Sequence, residues 1–264
     1  MKIDLNQLTI HCSISGNTDG PTVMLSHSLC TTMDMWLLQL PVLEADYRVL
    51  RYDTRGHGDS AAPQGAYTLE ALAADAIGLI DALQIDRVHW IGISMGGMIG
   101  QALALDHPDR LNSLTLCDTT ASMPETVQPL WQERIDRARS QGMQSLVEET
   151  LQRWFTPAYL ETRPPQVEMI RKQILSTPVD GFVGCAEAIR KLNYLERLAS
   201  IHMPTQVIVG EDDPGTPVAE SEAICARIEG ARLNVLPSAA HLCNIEQADE
   251  FNRVVIGFLK QVSA

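Results

Sequence analysis

A serine between two glycines is the residue of this chain whose setting points most directly to chemistry. The motif G-I-S-M-G occupies residues 92–96 and has Ser94 at its centre. Residues 88–91 form an apolar run typical of a buried strand, and residues 98–105 are typical of a helix. A tight strand-to-helix turn needs flanking glycines and holds the hydroxyl at a helix N-terminus, where negative charge is favoured. The pattern predicts a nucleophilic Ser94; the alternative is an ordinary Gly-Ser loop.

A serine nucleophile needs a base within hydrogen-bond reach, and the base needs an orienting carboxylate. When the nucleophilic serine lies in a strand-to-helix turn of this kind, called a nucleophile elbow, the acid and then the histidine follow the serine in the chain. Two histidines come late enough, His202 and His241. His202 precedes the predicted strand at residues 205–209 and would lie at the opposite edge of the sheet. His241 follows the last predicted strand, residues 233–236, so it is the predicted base; the alternative is a surface histidine at a helix start.

The orienting acid is expected just after the next-to-last predicted strand. There residues 210–217 read G-E-D-D-P-G-T-P. Three consecutive acids, Glu211, Asp212 and Asp213, leave the choice open. Asp118 follows another predicted strand and is a weaker candidate. Acids that do not orient the histidine are expected to be solvated loop charges.

Acyl transfer also needs hydrogen-bond donors for the oxyanion of the tetrahedral intermediate. One predicted donor is the backbone N–H of Met95, immediately after Ser94. The other is the backbone N–H of Leu29, in the loop of residues 26–32 that follows an early apolar run. His27 lies in the same loop and is predicted to support it rather than to act as a base.

Neither a metal nor a cofactor is expected. Residues 51–60, R-Y-D-T-R-G-H-G-D-S, are rich in glycine and charge, which by itself is compatible with phosphate binding. They lack the patterns G-x-x-x-x-G-K-[ST] and G-x-G-x-x-G, so a turn that braces the site is the better interpretation. The chain contains no H-E-x-x-H and no C-x-x-C motif.

Strand and helix patterns alternate along the chain. The predicted strands span residues 8–14, 22–25, 48–52, 88–91, 111–117, 205–209 and 233–236. Thr68 can cap a helix with apolar residues at helical spacing, and the closing helix has one apolar stripe. This alternation predicts an α/β fold with a mostly parallel sheet covered by helices on both faces. The active site of such a sheet lies beyond the carboxyl ends of its strands.

The alternation stops between residues 122 and 197. This segment has helical spacing, several prolines and no convincing strand. Because it falls between two predicted parallel strands, we predict that residues 122–197 form a helical cap over the site. The α/β core would then consist of residues 1–121 and 198–264. The alternative is a helical domain elsewhere on the molecule.

Composition limits the classes of function. With 264 residues and 45% apolar residues, the chain can form one large domain with an insertion. No apolar run approaches the length of a membrane helix, and residues 1–5 lack the apolar stretch of a signal peptide. Six scattered cysteines are expected to be reduced thiols in a cytoplasm. A net charge of −13 opposes binding to nucleic acid and to anionic membranes, which leaves a small-molecule substrate.

These motifs together resemble the α/β-hydrolase superfamily and, more narrowly, the 3-oxoadipate enol-lactonases. The segments that carry the resemblance are residues 51–58, 94–101, 152–157, 184–190 and 240–247. The acid loop resembles the family's G-x-x-D-P-x-T-P, which implies that Asp213 is the acid. The resemblance also implies hydrolysis of an enol-lactone without a cofactor. Two departures lie near the site: His27 and Cys30 replace Asn and Gly, and Glu211-Asp212 stands where the family often has T-H.

The predicted function is hydrolysis of carboxylic esters or lactones through an acyl-enzyme on Ser94. One alternative is a general carboxylesterase without enol-lactonase activity, and cofactor-free perhydrolysis is a further chemistry on the same triad. An alternative of another class is a ligand sensor on a hydrolase scaffold, which would hydrolyse its ligand barely or not at all. Neither the natural substrate nor the oligomeric state follows from the sequence.

An enol-lactone of this class carries a carboxylate, so a lactonase needs a cation near Ser94. Trp131 and Arg134 lie three residues apart, on one face of a predicted cap helix, and are the candidate substrate-binding pair. Most helix arginines are solvated, which favours the other interpretation: a solvated Arg134, with Trp131 packing the cap onto the core.

Overall fold

The computed structural model describes residues 1–5 and 8–263. Within these residues eight strands form one sheet, in the order β1-β2-β4-β3-β5-β6-β7-β8. The strands are β1 (Lys2–Leu5), β2 (Leu8–Gly16), β3 (Thr22–Ser26), β4 (Arg48–Tyr52), β5 (Val88–Ile93), β6 (Leu111–Cys117), β7 (Thr205–Gly210) and β8 (Arg232–Leu236). The β1–β2 and β2–β4 pairs are antiparallel, and the other neighbouring pairs are parallel. The predicted α/β class with a mostly parallel sheet is confirmed.

Helices fill most of the connections between the strands. The α-helices are α1 (Leu40–Leu43), α2 (Leu69–Ala82), α3 (Met95–Asp106), α4 (Gln128–Gln141), α5 (Val147–Trp154), α6 (Pro157–Glu161), α7 (Pro165–Ser176), α8 (Val179–Arg190), α9 (Val218–Arg227), α10 (Cys243–Glu246) and α11 (Ala248–Val262). Short 3₁₀ helices span Met33–Trp36, Pro108–Arg110, Glu125–Val127, Met143–Leu146 and Leu195–Ser200.

Local sequence signals account for several of these elements. The Thr68 hydroxyl caps α2 as predicted, accepting the Ala71 N–H at 3.1 Å. The side chains that α11 buries are spaced three and four residues apart, which is the stripe seen in the sequence. Every residue of β3 and of β5 is buried, as expected for central strands covered on both faces.

The predicted limits of the elbow elements need correction. β5 continues two residues beyond the predicted end, because Gly92 and Ile93 still pair with β6. α3 begins at Met95, three residues before the predicted start. Glycines fill the first turn of α3, so the apolar periodicity that marks a helix is not visible there. Ser94 is therefore the single residue between strand and helix.

The short strand β1 was not predicted. It pairs with β2 from Lys2↔His11 to Leu5↔Leu8, at the edge of the sheet. Four residues are too short a run to show a clear alternation, and the strand is specified by its partner rather than by its own pattern.

The helices α4 to α8 lie in the connection between β6 and β7, where the sequence predicts a cap. Ser122 and Asn193 form an isolated antiparallel bridge, so the segment leaves the sheet edge and returns to it at one place. The division into a cap and a core stays a prediction; residues 6, 7 and 264 of the predicted core lie outside the described residues.

Two further features concern the chain as a whole. Across the described ranges, no helix is both long and apolar enough to cross a membrane. All six cysteines are free thiols, and five of them are buried.

Candidate active site

The sheet brings the predicted site residues to one edge. Parallel strands end in register there: Ile93 of β5 pairs with Cys117 of β6, and Cys117 pairs with Ile208 of β7. The Ser94 N–H donates to the Cys117 carbonyl at 2.8 Å, and the Asp118 N–H donates to the Ile208 carbonyl at 2.9 Å. The loops after these parallel strands therefore face a common space.

Ser94 occupies a strained backbone conformation. Its φ is 55° and its ψ is −116°, a region that residues with a side chain rarely adopt. The flanking glycines allow this turn, because a Cβ at Gly92 would overlap the Gly96 carbonyl and a Cβ at Gly96 would overlap the Ser26 carbonyl. The strand-to-helix elbow predicted from the motif is present, with Ser94 at its apex.

His241 and Asp213 form a buried, hydrogen-bonded pair. The His241 Nδ1 lies 2.7 Å from Asp213 Oδ2. Asp213 is only 3% exposed, and it also accepts the Gly215 N–H at 2.7 Å and the Thr216 hydroxyl at 2.6 Å. A carboxylate with these partners only accepts, so Nδ1 carries the imidazole proton and Nε2 is left free to take one.

The two members of this pair shift each other's protonation. Burial alone would raise the pKa of Asp213, but the His241 charge and several hydrogen bonds outweigh it and lower this pKa to about 2. Burial alone would lower the pKa of His241, but the Asp213 carboxylate, helped by Asp118, outweighs it and raises this pKa above its usual value. The pair therefore favours an ionised acid beside a histidine of increased basicity.

The other acid candidates do not bond to His241. Glu211 and Asp212 are exposed loop residues, as expected for solvated charges. Asp118 is fully buried, and its Oδ1 accepts the Gly210 N–H at 2.8 Å. Burial, and then the nearby Asp213 charge, raise the pKa of Asp118 to about 8.

The loop that holds Leu29 is fixed by two buried histidines. His27 Nε2 accepts the Thr54 N–H at 2.9 Å, so its other nitrogen donates to the Ser28 carbonyl, 2.7 Å away. His57 Nε2 accepts the N–H of the residue after Leu29 at 3.0 Å. Both histidines must be neutral to make these contacts. The predicted supporting role of His27 agrees with this geometry.

Cys30 lies in the left-handed region, with a φ of 62°. This is the position at which the resembling family has glycine, and the backbone keeps the conformation that glycine adopts most easily. Burial, and then the neighbouring His27, lower the pKa of His57 to about 3, so its contact with Cys30 persists in mild acid.

The two predicted oxyanion donors lie on separate elements, at the edge of the sheet where Ser94 lies. Leu29 lines the cavity described below, and Met95 begins α3 directly after Ser94. Among the hydrogen bonds of the described residues, none is donated by the backbone N–H of Leu29 or of Met95. Two unengaged donors beside a nucleophile are what an oxyanion requires.

A cavity of about 270 Å³ opens over the elbow. Its walls come from the loops at the sheet edge and from the segment between β6 and β7. The lining residues that matter for the chemistry are Ser94, His241, Leu29, Trp131, Arg134 and Arg153. Ser94 and the His241–Asp213 pair are thus brought to one site, with cations from α4 and α5.

The expectation of a solvated Arg134 is wrong. The side chain is 6% exposed, and its guanidinium lies over the rings of Trp131, at 4.9 Å, and Phe182, at 5.9 Å. Its Nε has no hydrogen-bond partner within the described part of the chain. Burial, and then the charge of Arg153, lower the pKa of Arg134 to about 10. The sequence could not show this, because α8 and α5 cover this face of α4 only in the folded chain.

Several residues near the site receive no individual role from the sequence, although Trp154 and Glu246 lie in segments that carry the family resemblance. Glu220 lines the cavity and accepts the Thr120 hydroxyl at 2.6 Å. Glu246 accepts the Ala240 N–H in the His241 loop, and the Trp154 indole stacks on the His241 imidazole. Their roles depend on contacts between segments far apart in the chain. Over residues 1–5 and 8–263, no three His, Cys, Asp or Glu side chains are grouped to hold a metal ion.

Comparisons with known proteins agree with this architecture. A family model described as an alpha/beta hydrolase fold matches residues 21–248. The 3-oxoadipate enol-lactonase 2 of Acinetobacter baylyi is 37% identical over 246 residues, which are 93% of this chain and 91% of that protein. The crystal structure of the enol-lactonase from Burkholderia xenovorans LB400 has a TM-score of 0.95 and 39% identity, covering 98% of this chain and 100% of that one.

A thermophilic esterase from Thermogutta terrifontis, solved with malate bound, has a TM-score of 0.94 and 30% identity, covering 100% of this chain and 99% of that one. The chain therefore belongs to the α/β hydrolase family. Within that family it is an enol-lactonase-like hydrolytic enzyme.

Proposed function

We propose that this enzyme hydrolyses a small lactone that carries a carboxylate, through an acyl-enzyme on Ser94. The observation that carries the proposal is the buried guanidinium of Arg134 in the same cavity as Ser94 and His241. Within the described residues Arg134 forms no ion pair and no hydrogen bond, and a buried charge without a partner is costly. A carboxylate on the substrate supplies that partner.

The proposed catalytic steps use Ser94, His241 and Asp213 as a triad. The free Nε2 of His241 takes the Ser94 proton as the hydroxyl oxygen attacks the lactone carbonyl. The N–H groups of Leu29 and Met95 stabilise the oxyanion that forms on the carbonyl oxygen. His241 returns the proton to the ring oxygen as its bond to the acyl carbon breaks. Asp213 holds the imidazole in the required tautomer and stabilises its charged form.

Water completes the cycle. His241 takes a proton from the water molecule as its oxygen attacks the acyl-Ser94 ester, and then returns the proton to Ser94 Oγ as the acid is released. No metal or cofactor enters these steps. The same steps hydrolyse a lactone or a simple ester, so the residues that line the cavity must select the substrate.

Arg134 and Trp131 support a charged substrate rather than a neutral one. The indole and Phe182 cover two sides of the guanidinium and exclude water from it, which strengthens its attraction for an anion. The Thermogutta terrifontis esterase, solved with malate bound, offers a parallel, since malate is a dicarboxylate. The enol-lactonase relatives, at 37% and 39% identity, favour 3-oxoadipate enol-lactone as the substrate. We further propose a cytoplasmic location, based on the six free thiols.

Substrate turnover tests this proposal directly. The purified enzyme is assayed with 3-oxoadipate enol-lactone, with uncharged lactones of similar ring size, and with p-nitrophenyl esters of increasing acyl length. The proposal predicts the highest kcat/KM for the charged lactone. Turnover of the p-nitrophenyl esters without the charged lactone would instead identify a general carboxylesterase. Tight binding of the lactone without turnover would identify a ligand sensor.

A further inference from the structure

A second guanidinium, that of Arg153, lines the same cavity as Arg134. Arg153 lies in the last turn of α5 and is partly buried. Among the salt bridges and side-chain hydrogen bonds of the described residues, none involves Arg153. Arg134 likewise forms no ion pair within the described residues, although the Glu149 charge acts on both guanidiniums. Two cations therefore line one cavity in a chain whose net charge is −13.

The backbone position of Arg153 is set by contacts of the next residue. The next residue, Trp154, accepts the Leu242 N–H on its carbonyl at 3.1 Å. Its indole stacks on the His241 imidazole, with 6.1 Å between ring centroids. The end of α5, and with it the backbone of Arg153, is therefore attached to the loop that carries His241.

Arg153 and His241 flank the same small space over Gly215. An atom at the Cβ position of Gly215 would lie 3.5 Å from Arg153 Nη2 and 3.8 Å from His241 Nδ1. The guanidinium thus lies near enough to the imidazole for its charge to act on it, and it lines the same cavity as Ser94. It also lies near enough to Arg134 for its charge to lower the pKa of that guanidinium.

We propose that Arg153 is a second anion-binding residue of this site, which receives the carboxylate that hydrolysis creates. This inference rests on the proposed function, in which Arg134 holds the carboxylate that the lactone already carries. Two neighbouring cations that form no ion pair are stabilised more by a ligand with two negative charges than by one with a single charge. The substrate has one such charge, and the product has two.

The charge balance of the reaction supports this assignment. Water adds across the bond between the acyl carbon and the ring oxygen; the carbon gains the water oxygen, and the ring oxygen gains a proton. The new acid then loses its proton to solvent, so a monoanion becomes a dianion. Arg153 stabilises the negative charge that appears beside Ser94 and His241, and makes the cavity select diacids over their half-esters.

The affinities of two unreactive probes, measured by titration calorimetry, test the proposal. Adipate is a simple diacid, and monomethyl adipate is the same chain with one charge removed. We expect the wild-type enzyme to bind adipate at least roughly tenfold more tightly than the half-ester, because adipate forms a second charge-assisted ion pair. Arg153→Gln should reduce adipate binding to the level of the half-ester and leave binding of the half-ester within about twofold.

Two further variants calibrate this comparison. Arg139→Gln removes the same charge from an exposed position on α4 and should change the binding of neither probe. Arg134→Gln should weaken both probes, because each carries the first carboxylate. An equal loss for both probes in Arg153→Gln, or no loss, would overturn the proposal. The binding series needs no turnover, so failure of the proposed lactonase activity would be seen separately.

A pH profile provides a readout that a purely structural role would not change. Burial and the Arg153 charge lower the pKa of His241, while Asp213 and Asp118 raise it. Removing the cation should therefore move the acid limb of kcat/KM for p-nitrophenyl acetate to higher pH in Arg153→Gln. A variant that only loosened α5 would lower the plateau without moving the limb, and that result would also overturn the proposal.

Discussion

The indole of Trp154 stacks on the imidazole of His241, with ring centroids 6.1 Å apart and planes 24° from parallel. Nearby, the Glu246 carboxylate accepts the Thr156 N–H at 2.9 Å, the Thr156 hydroxyl at 2.7 Å and the Ala240 N–H at 2.6 Å. The segment after α5 is thereby attached to the loop immediately before His241. The orientation of the predicted base thus depends on a segment that the sequence assigns to the cap.

Glu246→Ala tests this attachment. The change leaves the N–H groups of Thr156 and Ala240 without their acceptor, at a cost of about 1–3 kcal/mol for each group that stays buried. We expect a lower melting temperature, and a lower kcat for p-nitrophenyl acetate with little change in KM, because His241 is less well placed. Glu250→Ala, which removes an exposed carboxylate from α11, is the matched control. Unchanged kcat in Glu246→Ala would show that the attachment does not orient the base.

Ser94→Ala should abolish hydrolysis while preserving the fold. Loss of one triad member costs on the order of 10⁴ or more in kcat, since the others have no nucleophile to act on. Labelling with a serine phosphonate, followed by peptide mass spectrometry, checks the assignment, and Ser94 should carry the label. A label on another serine, or retained activity in Ser94→Ala, would contradict the assignment.

Asp213→Asn should lower kcat by about 10⁴, because an amide at this position favours the wrong tautomer of His241. Asp212→Asn removes the same charge from the exposed neighbour and should cost much less. Steady-state assays of both variants with one neutral ester make the comparison. A larger loss in Asp212→Asn would mean that Asp212 is the acid in solution.

The pH dependence of kcat/KM should show one acid limb controlled by His241. The base must be unprotonated to accept the Ser94 proton, so activity rises with pH through its pKa. Burial lowers this pKa, but Asp213 outweighs burial and raises it, so the midpoint should lie above the usual value of about 6.5. Asp213→Asn should move the midpoint of the residual activity to lower pH. A midpoint below 6 in the wild-type enzyme would contradict the described ion pair.

Arg134→Ala should raise KM for a carboxylate-bearing lactone and leave p-nitrophenyl acetate nearly unchanged, because only the charged substrate loses an ion pair. The loss should be roughly tenfold or more, as expected for a pair shielded from water. Steady-state kinetics with both substrates measure the difference, and Arg139→Ala is the control on the same helix. Equal effects on the two substrates would mean that Arg134 only supports the packing of α4.

Local sequence signals determine much of the scaffold. The elbow at Ser94 follows from two glycines and a strand-to-helix switch, and the start of α2 follows from the Thr68 cap, because each depends on neighbours within a few residues. The order of strands and the parallel sheet follow from the alternation of apolar patterns. His241 could be chosen by its place after β8, since parallel strands bring their carboxyl ends together.

Tertiary structure decided what depends on contacts between distant segments. The residues alone left open which of three consecutive acids orients His241. Only the course of the loop after β7 brings Asp213 to 2.7 Å from His241. The burial of Arg134 and the approach of Arg153 to the base arise where α4 and α5 meet other elements. No periodicity within one helix reports on such neighbours, because the sequence shows which face of a helix is apolar but not what covers its polar residues.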